Sequence, residues 1–368
     1  MPYTQVNNLD FVDIKTAIKE YMRAETEFTD YDFEGSVISQ LIDVLPYNTY
    51  YTAFNANMVV NELFLDSSTL RDNVVALAKQ LGYAPKSITS PKAAINLQLL
   101  FTGTAPSTVV LKAGTGFITN FDGSLYEFVV TEDYRKEVVN STATFTELPV
   151  YEGSLIVTRT LVDTSLKNQR FIIDNSGADV STIKIKVFEA ANSTVSNTYE
   201  KADNILSVGS DDRVFFLSEV EDEKYEIFFG DGILGEKLSN NNIVEISYVT
   251  TSGTSTNGAK TFTFNGSVTD GDGNDISVPF SVNELTTSSV ASGGAEIESI
   301  SKIKFNAPKY FGSQNRAVTS NDYSAIVRKI YPAISDIIVF GGEEQEPPAY
   351  GKVSVSYTHL TLPTTPYV

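Results

Sequence analysis

Apolar residues recur at helical spacing through the first ninety positions. Over residues 8–23, Ile14, Ile18, Tyr21 and Met22 share one face and Asn8 or Asp10 can cap the start, so a short amphipathic helix is expected. A helix of this length is not stable alone in water and must dock, on its own domain as the commoner outcome or on a partner. A longer helix should start after Phe33-Glu34-Gly35-Ser36, with Ser36 as cap and Val37, Ile38, Leu41, Ile42 and Leu45 at helical spacing. Pro46 removes one backbone bond and clashes one turn back, which predicts a kink near Asp43–Leu45 or two abutting helices. Tyr47, Tyr50, Tyr51, Phe54, Met58, Val59, Leu63 and Phe64 then form an aromatic-rich stripe at period 3.6. Core packing is the commoner fate of such a stripe, and its breadth favours burial on more than one side; the sharper reading is a bundle surface for another chain. Thr69-x-x-Asp72 has capping-box spacing, and the face Leu70, Val74, Leu77, Ala78, Leu81 ends at Gly82, with Pro85 beyond.

From Pro91 the period changes to two. Ala94, Asn96, Gln98 and Phe101 alternate with Ile95, Leu97 and Leu99, and Val109–Leu111 follow a turn. Further strands are expected at 116–119, 125–130, 142–146, 155–161, 170–173, 183–188, 214–217, 225–229, 243–250, 261–264 and 276–280. Turns at such short intervals suit an antiparallel domain, sandwich-like or an elaborated barrel, and not alternating βαβ units. The pattern does not give strand order. Residues 289–294 read as a linker. After Gly294, Glu296 and Glu298 should occupy a first helical turn followed by Ile297, Ile300, Ile303 and Lys304, with Asn306-Ala307-Pro308 as the stop. A second helix is expected from a Thr319 or Ser320 cap, through Asp322, Tyr323, Ile326, Val327 and Ile330, to Tyr331-Pro332. Ile334, Ile337, Ile338, Val339 and Phe340 read as a buried strand. The fold class is therefore α+β and multidomain: a helical region, an antiparallel β-rich domain and a small α/β segment.

Composition adds limits. With 368 residues, 42% hydrophobic and 20% charged, the protein can bury sizeable cores, and its length suggests two or three domains. A formal net charge of −19 argues against a nucleic-acid groove, which needs clustered Lys and Arg. There is no Cys, hence no disulfide framework, thiolate nucleophile or cysteine metal site. The N-terminal MPYTQVNNLDFVDIK lacks a basic and an apolar signal region, and no apolar run reaches membrane-spanning length, so membrane insertion is not expected.

Two motifs imitate chemistry. Gly230-Asp231-Gly232-Ile233-Leu234-Gly235 satisfies G-x-G-x-x-G after a strand, but the next strand follows instead of a helix, so a turn is expected in place of a dinucleotide site. Asp270-Gly271-Asp272-Gly273-Asn274-Asp275 resembles a calcium loop without the sixth-position Gly and with Ser281 where the twelfth-position Glu belongs, so a tight acidic turn is expected. No G-x-S-x-G, P-loop or H-E-x-x-H occurs, and His359 is the single histidine. Carboxylate pairs remain for a glycosidase, although Glu219–Glu223 and Glu343-Glu344 read as solvated turns. No catalytic, cofactor or metal residue is assigned, and no enzyme activity is expected.

One long irregular run carries a resemblance. GGAEIESISKIKFNAPKYFGSQNRAVTSNDYSAIV, with YPAISDIIVFGGEEQEPPAYGKV after it, resembles the baseplate wedge proteins of T-even-type contractile-tailed phages, within the wider baseplate J-like family. FEGSVISQLIDVLPYNTYYTAFNANMVVNELFLDSSTLRDNVVALAKQLGYAPKS and FFGDGILGEKL are similar as well. The resemblance implies a virion protein of the tail baseplate, made in the bacterial cytoplasm. Two copies would pair within each wedge, bind other wedge proteins through the N-terminal helices, and join wedges into a ring around the hub that controls sheath contraction. It implies a partner-binding helical region over 1–90, a β-rich domain over 91–292 and an incomplete baseplate J-like segment over 293–354. Tyr47, Tyr50, Tyr51, Phe54, Met58 and Phe64 are the candidate bundle contacts. Val355–Thr365 resembles a translated sequencing adapter, so residues 355–368 are expected to be a non-native tail, with the natural protein truncated at its C-terminal side. The nucleotide record decides that point. The alternative function is a tail-associated β protein that binds or hydrolyses host surface glycans.

Overall fold

The computed structural model describes residues 10–25, 37–166, 169–202, 208–276, 278–314, 316–330 and 334–359. They fall into two compact units, residues 1–83 with 300–308, and residues 84–299 with 309–368.

The first unit is helical: α1 (Phe11–Ala24), α2 (Val37–Glu62), α3 (Arg71–Gln80) and the Ile300–Pro308 part of α4 (Ile300–Ser313). Asp10 caps α1 by accepting from Val12 N–H at 2.7 Å; Asn8 lies outside the described residues. Ile14 is buried, Ile18 and Met22 are half-buried, and Tyr21 is exposed. Lys15 of α1 pairs with Asp43 of α2. Of the two outcomes expected at Pro46, a kink or two abutting helices, the second does not occur: α2 is one helix through Pro46, which is buried. The same happens in α4. Pro308 was expected to end it, yet the helix continues to Ser313, because Ile303 and Ala307 sit in a core with Val74, Val75 and Ala78. Burial there outweighs the one missing hydrogen bond. The start of α4 also differs from expectation. Glu296 and Glu298 precede the helix, and their carboxylates accept from Thr254 and Lys86 backbone N–H groups, which fixes them outside a first turn.

The predicted stop of α3 holds in detail. Gly82 has φ +75°, its N–H donates to Lys79 O at 2.9 Å, and Tyr83 N–H donates to Ala78 O at 3.0 Å. This is the Schellman pairing, closed by Tyr83 against the same core.

The second unit holds most of the strands. A six-stranded sheet runs β14 (Thr263–Asn265), β3 (Gly116–Phe121), β4 (Ser124–Val129), β6 (Thr142–Glu152), β1 (Lys92–Phe101), β16 (Phe280–Ser292). Its two edges approach each other: the rings of Phe264 on β14 and Phe280 on β16 lie 6.3 Å apart, giving a near-barrel. Ile95, Leu97, Leu99, Phe117, Phe128 and Phe145 fill it. A three-stranded sheet of β15 (Thr269–Asp270), β2 (Thr108–Leu111) and β5 (Tyr134–Glu137) contributes Val109 and Leu111.

The second large sheet has seven strands in the order β7 (Ser154–Leu161), β13 (Ile243–Thr250), β9 (Ala178–Phe188), β10 (Ser196–Lys201), β11 (Val214–Glu219), β12 (Tyr225–Phe229), β8 (Phe171–Ile173). All pairs are antiparallel except β10 with β11. Tyr225, Ile227, Ile185 and Val244 are central to its core.

The largest departure from the pattern reading is β16. A strand was expected at 276–280 and a linker at 289–294, but the strand begins at Phe280 and continues to Ser292, paired with β1 over its length. Its Ser/Thr-rich sequence is largely exposed, so no alternation marks it; the partner strand does. β5, β10 and β15 were likewise not anticipated. Their residues are mostly polar, exposed along most of β5 but only over half of β10, where Tyr199 enters the core, and not in β15, where Thr269 is buried, so no alternation marks them and backbone pairing places them.

The two large sheets meet along the sequence at one residue. β6 ends at Glu152 and β7 begins at Ser154, so Gly153 alone separates them. The described C-terminal segment has α5 (Ser320–Ile330) and an antiparallel pair, β17 (Ile334–Gly341) with β18 (Val353–His359). Thr319 and Asp322 form a reciprocal capping box: Asp322 N–H donates to Thr319 Oγ1 at 3.3 Å, and Thr319 N–H donates to Asp322 Oδ2 at 2.8 Å. The expected helix stop at Tyr331-Pro332 and the cap at Ser36 lie outside the described residues.

Candidate functional site

The surface of α2 follows from which of its positions are buried. Ile42, Pro46, Ala53, Asn57 and Asn61 are, one narrow line at spacings of four and seven. A row of apolar residues beside that line is exposed: Tyr47 at 55%, Tyr50 at 41%, Tyr51 at 46%, Phe54 at 49% and Met58 at 41%. At 3.6 residues per turn, Tyr47, Tyr51, Phe54 and Met58 span an arc of about 60°, flanking the buried line. The far side is apolar too, with Leu41, Val44 and Val59 exposed.

The expectation that the stripe's breadth means burial on more than one side is therefore not met among the described residues. A helix apolar around most of its circumference is ordinarily buried. Here, among the described residues, only one line is buried. Leu41 and Leu45, read as part of a core face with Ile42, are exposed while Ile42 is buried. Phe64 is exposed as well, but it lies past the end of α2 in the following turn, so it does not continue the helical stripe.

The aromatics are pre-ordered against one another. The Tyr47 and Tyr51 rings meet edge-on at 4.6 Å, with the Tyr47 hydroxyl donating to that of Tyr51 at 2.9 Å, and Tyr50 meets Tyr51 edge-on at 5.9 Å. The hydrogen bond from Tyr47 pushes the Tyr51 phenol above its usual value. An aromatic cluster held by its own contacts loses less side-chain freedom on binding than separate long side chains would.

The end of α2 also builds the turn to α3. Ser68 Oγ donates to Glu62 Oε2 at 2.6 Å, Thr69 N–H to Oε1 at 2.7 Å, and Asn73 Nδ2 to Oε2 at 2.9 Å. This corrects the Thr69-x-x-Asp72 expectation. α3 has Leu70 at its N-cap with no side-chain cap bond, and Glu62 from the preceding helix satisfies the free N–H groups of Thr69 and Leu70 instead. No local motif signals a carboxylate arriving from that distance in sequence.

Burial pushes the Glu62 carboxyl up, but hydrogen bonds from Ser68, Thr69 and Asn73 outweigh it and hold it at about 2. A depressed carboxyl stabilises the fold above its ordinary value, and that contribution is lost as pH falls through the folded value. The helical unit should therefore weaken between pH 4.5, the ordinary value, and about 2. Glu62→Gln should flatten this part of the pH–stability curve in urea titrations while costing about 1 kcal/mol at pH 7. An unchanged acid limb in the variant would rule Glu62 out as its source.

The β unit offers a broad groove, of about 670 Å³, whose lining includes Asp163, Leu166, Arg170, Glu226, Phe228 and Asp231. Its carboxylates are engaged. Glu226 is held bidentately by Arg170 at 2.6 and 2.7 Å. Hydrogen bonds from the Ser165 hydroxyl and N–H hold Asp163 low, and those from the Leu234 and Ile233 N–H groups hold Asp231 low. A glycosidase acid needs a raised carboxyl, which neither of these is.

Both imitation motifs are turns. Asp231 Oδ1 accepts from Ile233 and Leu234 N–H, and a Cβ on Gly230 would stand 2.2 Å from the Gly235 backbone. Close backbone approach explains those glycines. In the second turn, Asp270 Oδ1 accepts from Asp272 and Asn274 N–H at 3.0 and 2.8 Å. Among the described residues, no group of three or more metal-ligating side chains comes together, and no helix is long and apolar enough to cross a membrane.

Comparison with known proteins sets this architecture beside the structural proteins of phage tail baseplates. Residues 10–83 match the helical domain of gp6-like baseplate wedge proteins, and residues 319–359 match C-terminal domain I of the baseplate structural protein gp6. A particular relative is Baseplate wedge protein gp6 of Enterobacteria phage T4, 29% identical over 349 residues. That alignment covers 88% of this protein and 50% of the T4 protein, so the sequence spans half the length of this curated relative. A cryo-EM structure of the anti-feeding prophage baseplate aligns at 13% identity over 91% of this protein and 67% of its own length, with a TM-score of 0.27, too low to carry a structural argument. The family and sequence matches support a baseplate wedge protein.

Proposed function

We propose that this protein is a structural, non-enzymatic component of a tail baseplate wedge, resident in the virion and made in the host cytoplasm. In this reading it pairs with a second copy and joins other wedge proteins into the ring around the tail hub that governs sheath contraction. The observation that carries it is α2, an apolar helix with one buried line and a pre-ordered aromatic flank, inside the segment that matches the wedge helical domain. Tyr47, Tyr50, Tyr51, Phe54 and Met58 are its contact residues, with Phe64 at the adjoining turn. Such a surface suits a partner helix, which would cover the flank with apolar side chains of its own.

The domain reading, 1–90, 91–292 and 293–354, and the baseplate J-like affiliation of the last belong to the same proposal. So does the adapter origin of the tail, against whose start at Val355 stands the family match running on to His359.

The test is co-purification after co-expression with the neighbouring wedge proteins of the same phage. Tyr51→Ala with Phe54→Ala should lower recovery of the complex at least tenfold, since buried aromatic anchors at interfaces cost about 2 kcal/mol or more each. Both side chains are about half exposed in the free protein, so its own melting temperature should move by no more than about 2 °C. Normal recovery of a folded double variant would remove α2 as the docking surface.

A further inference from the structure

The seven-stranded sheet has two edges, and they are treated differently. β8 is only three residues long, the usual way of keeping an edge from recruiting another strand. β7 is eight residues long, Ser154-Leu-Ile-Val-Thr-Arg-Thr-Leu161, and pairs with β13 over its whole length without a register shift. It contains no Pro, Lys or bulge. Side chains on both its faces are open, with Ile156 37% and Val157 53% exposed.

The direction of its backbone groups can be worked out. Val162 N–H donates to Asn242 O on the β13 side, whereas Gly153 N–H donates to Glu127 O on the other side. Alternation along a strand then turns the N–H and C=O of residues 154, 156, 158 and 160 towards β13 and those of Leu155, Val157 and Arg159 outward. The outward carbonyl of Leu161 accepts from the Gln169 side chain at 2.6 Å, in keeping with this. The outward groups of Leu155, Val157 and Arg159 have no protein hydrogen-bond partner among the described residues.

We infer that β7 is a strand-pairing edge for a second copy of this protein, joined antiparallel about a twofold axis through Val157. This names a surface for the self-association proposed above and rests on that part of it.

Three arguments select a second copy and this register. Hydrogen-bonded antiparallel pairs require outward-facing residues on both strands. Setting Val157 opposite Val157 places Leu155 opposite Arg159 and uses all of those outward groups, about six hydrogen bonds in total. The same register keeps like charges apart: Arg159, the strand's one charged residue, faces Leu155 and is already neutralised by Glu245 at 2.6 Å. A twofold contact also pairs Ile156 with Thr158 on one face, covering apolar surface that a lone edge leaves in water.

Because the sequence has no Cys, one introduced thiol reports the geometry without background. In a hydrogen-bonded antiparallel pair the facing Cα atoms are about 5.5 Å apart, within disulfide reach. Val157→Cys in the full-length protein should therefore give a covalent dimer on mild oxidation. Leu161→Cys should not, since its two copies would lie about 27 Å apart along the paired strands. Val157→Pro deletes an outward N–H and leaves the β13 ladder intact, so it should abolish concentration-dependent dimerisation in sedimentation velocity at unchanged circular dichroism.

Wild type that self-associates without Val157→Cys cross-linking would overturn the β7 assignment and leave self-association standing. Wild type that stays monomeric up to about 0.1 mM, weaker than about −5.5 kcal/mol of association, would overturn both. Neither outcome touches the α2 co-purification result.

Discussion

Gly153→Ala is expected to destabilise the β unit by at least about 3 kcal/mol, lowering its melting temperature by roughly 6 °C or more. Two effects combine at this residue. Its φ of +114° is one that side chains rarely adopt, and a Cβ there would stand 1.9 Å from Thr250 O and 2.8 Å from Thr250 C. Both colliding atoms are backbone at the end of β13, so no rotamer change relieves them. Gly123, in the turn between β3 and β4, separates the two effects: it has φ +82° but nothing within 4 Å of a built Cβ. Gly123→Ala should then cost about 1 kcal/mol, the conformational part alone. Equal melting temperatures for the two variants would mean that the crossing between sheets tolerates a side chain.

Next to it, Glu152→Ala should cost about 2–4 kcal/mol. Glu152 is 3% exposed and accepts from two consecutive residues just past β13: Thr251 Oγ1 and Ser252 N–H donate to one oxygen, Ser252 Oγ to the other. Removing the carboxylate leaves the buried Thr251 hydroxyl without its acceptor and releases both groups of the exposed Ser252, and Thr251 Oγ1 itself accepts from Gly253 N–H at 3.1 Å, so the loss propagates one residue further. Glu152→Gln keeps the shape and one acceptor, and the hydroxyls can turn to accept from the new amide, so it should cost less than half as much. Chemical denaturation of the three proteins checks this. A Gln variant as unstable as the Ala variant would mean that the charge, not the acceptor geometry, holds the turn.

Gly153 and Glu152 belong to one device. The backbone leaves the six-stranded sheet at Glu152 and enters the seven-stranded one at Ser154, while the segment following β13 returns to be held by the same carboxylate. On the neighbouring strand, Asp179, 1% exposed, accepts from Ser90 N–H at 2.7 Å and from Ser181 N–H at 2.9 Å. Two buried carboxylates thus tie the sheets to each other, Glu152 at the crossing and Asp179 from β9 to the residue leading into β1.

Local patterning alone determined a good deal. The helical start, the switch of period at Pro91, the Schellman stop at Gly82, the Thr319 cap, the strand at Ile334 and the two decoy turns were all legible, because each depends on residues within one turn or one pleat of each other; the burial expected of that strand was not, since of its apolar residues only Ile334 is buried and Ile338 is 66% exposed. Long-range pairing was not. β16 looks like a linker until β1 lies beside it, Glu62 becomes a cap only when α2 delivers it to Thr69, and Pro46 and Pro308 end no helix because packing outweighs one lost bond. The aromatic stripe of α2 was legible as a stripe, but whether it is core or surface depends on what the rest of the protein covers, and among the described residues the covered line of α2 runs beside the stripe, not through it. Hydrophobic period says which residues share a face; only tertiary structure says which faces are left over, since burial is a property of the partner as much as of the helix.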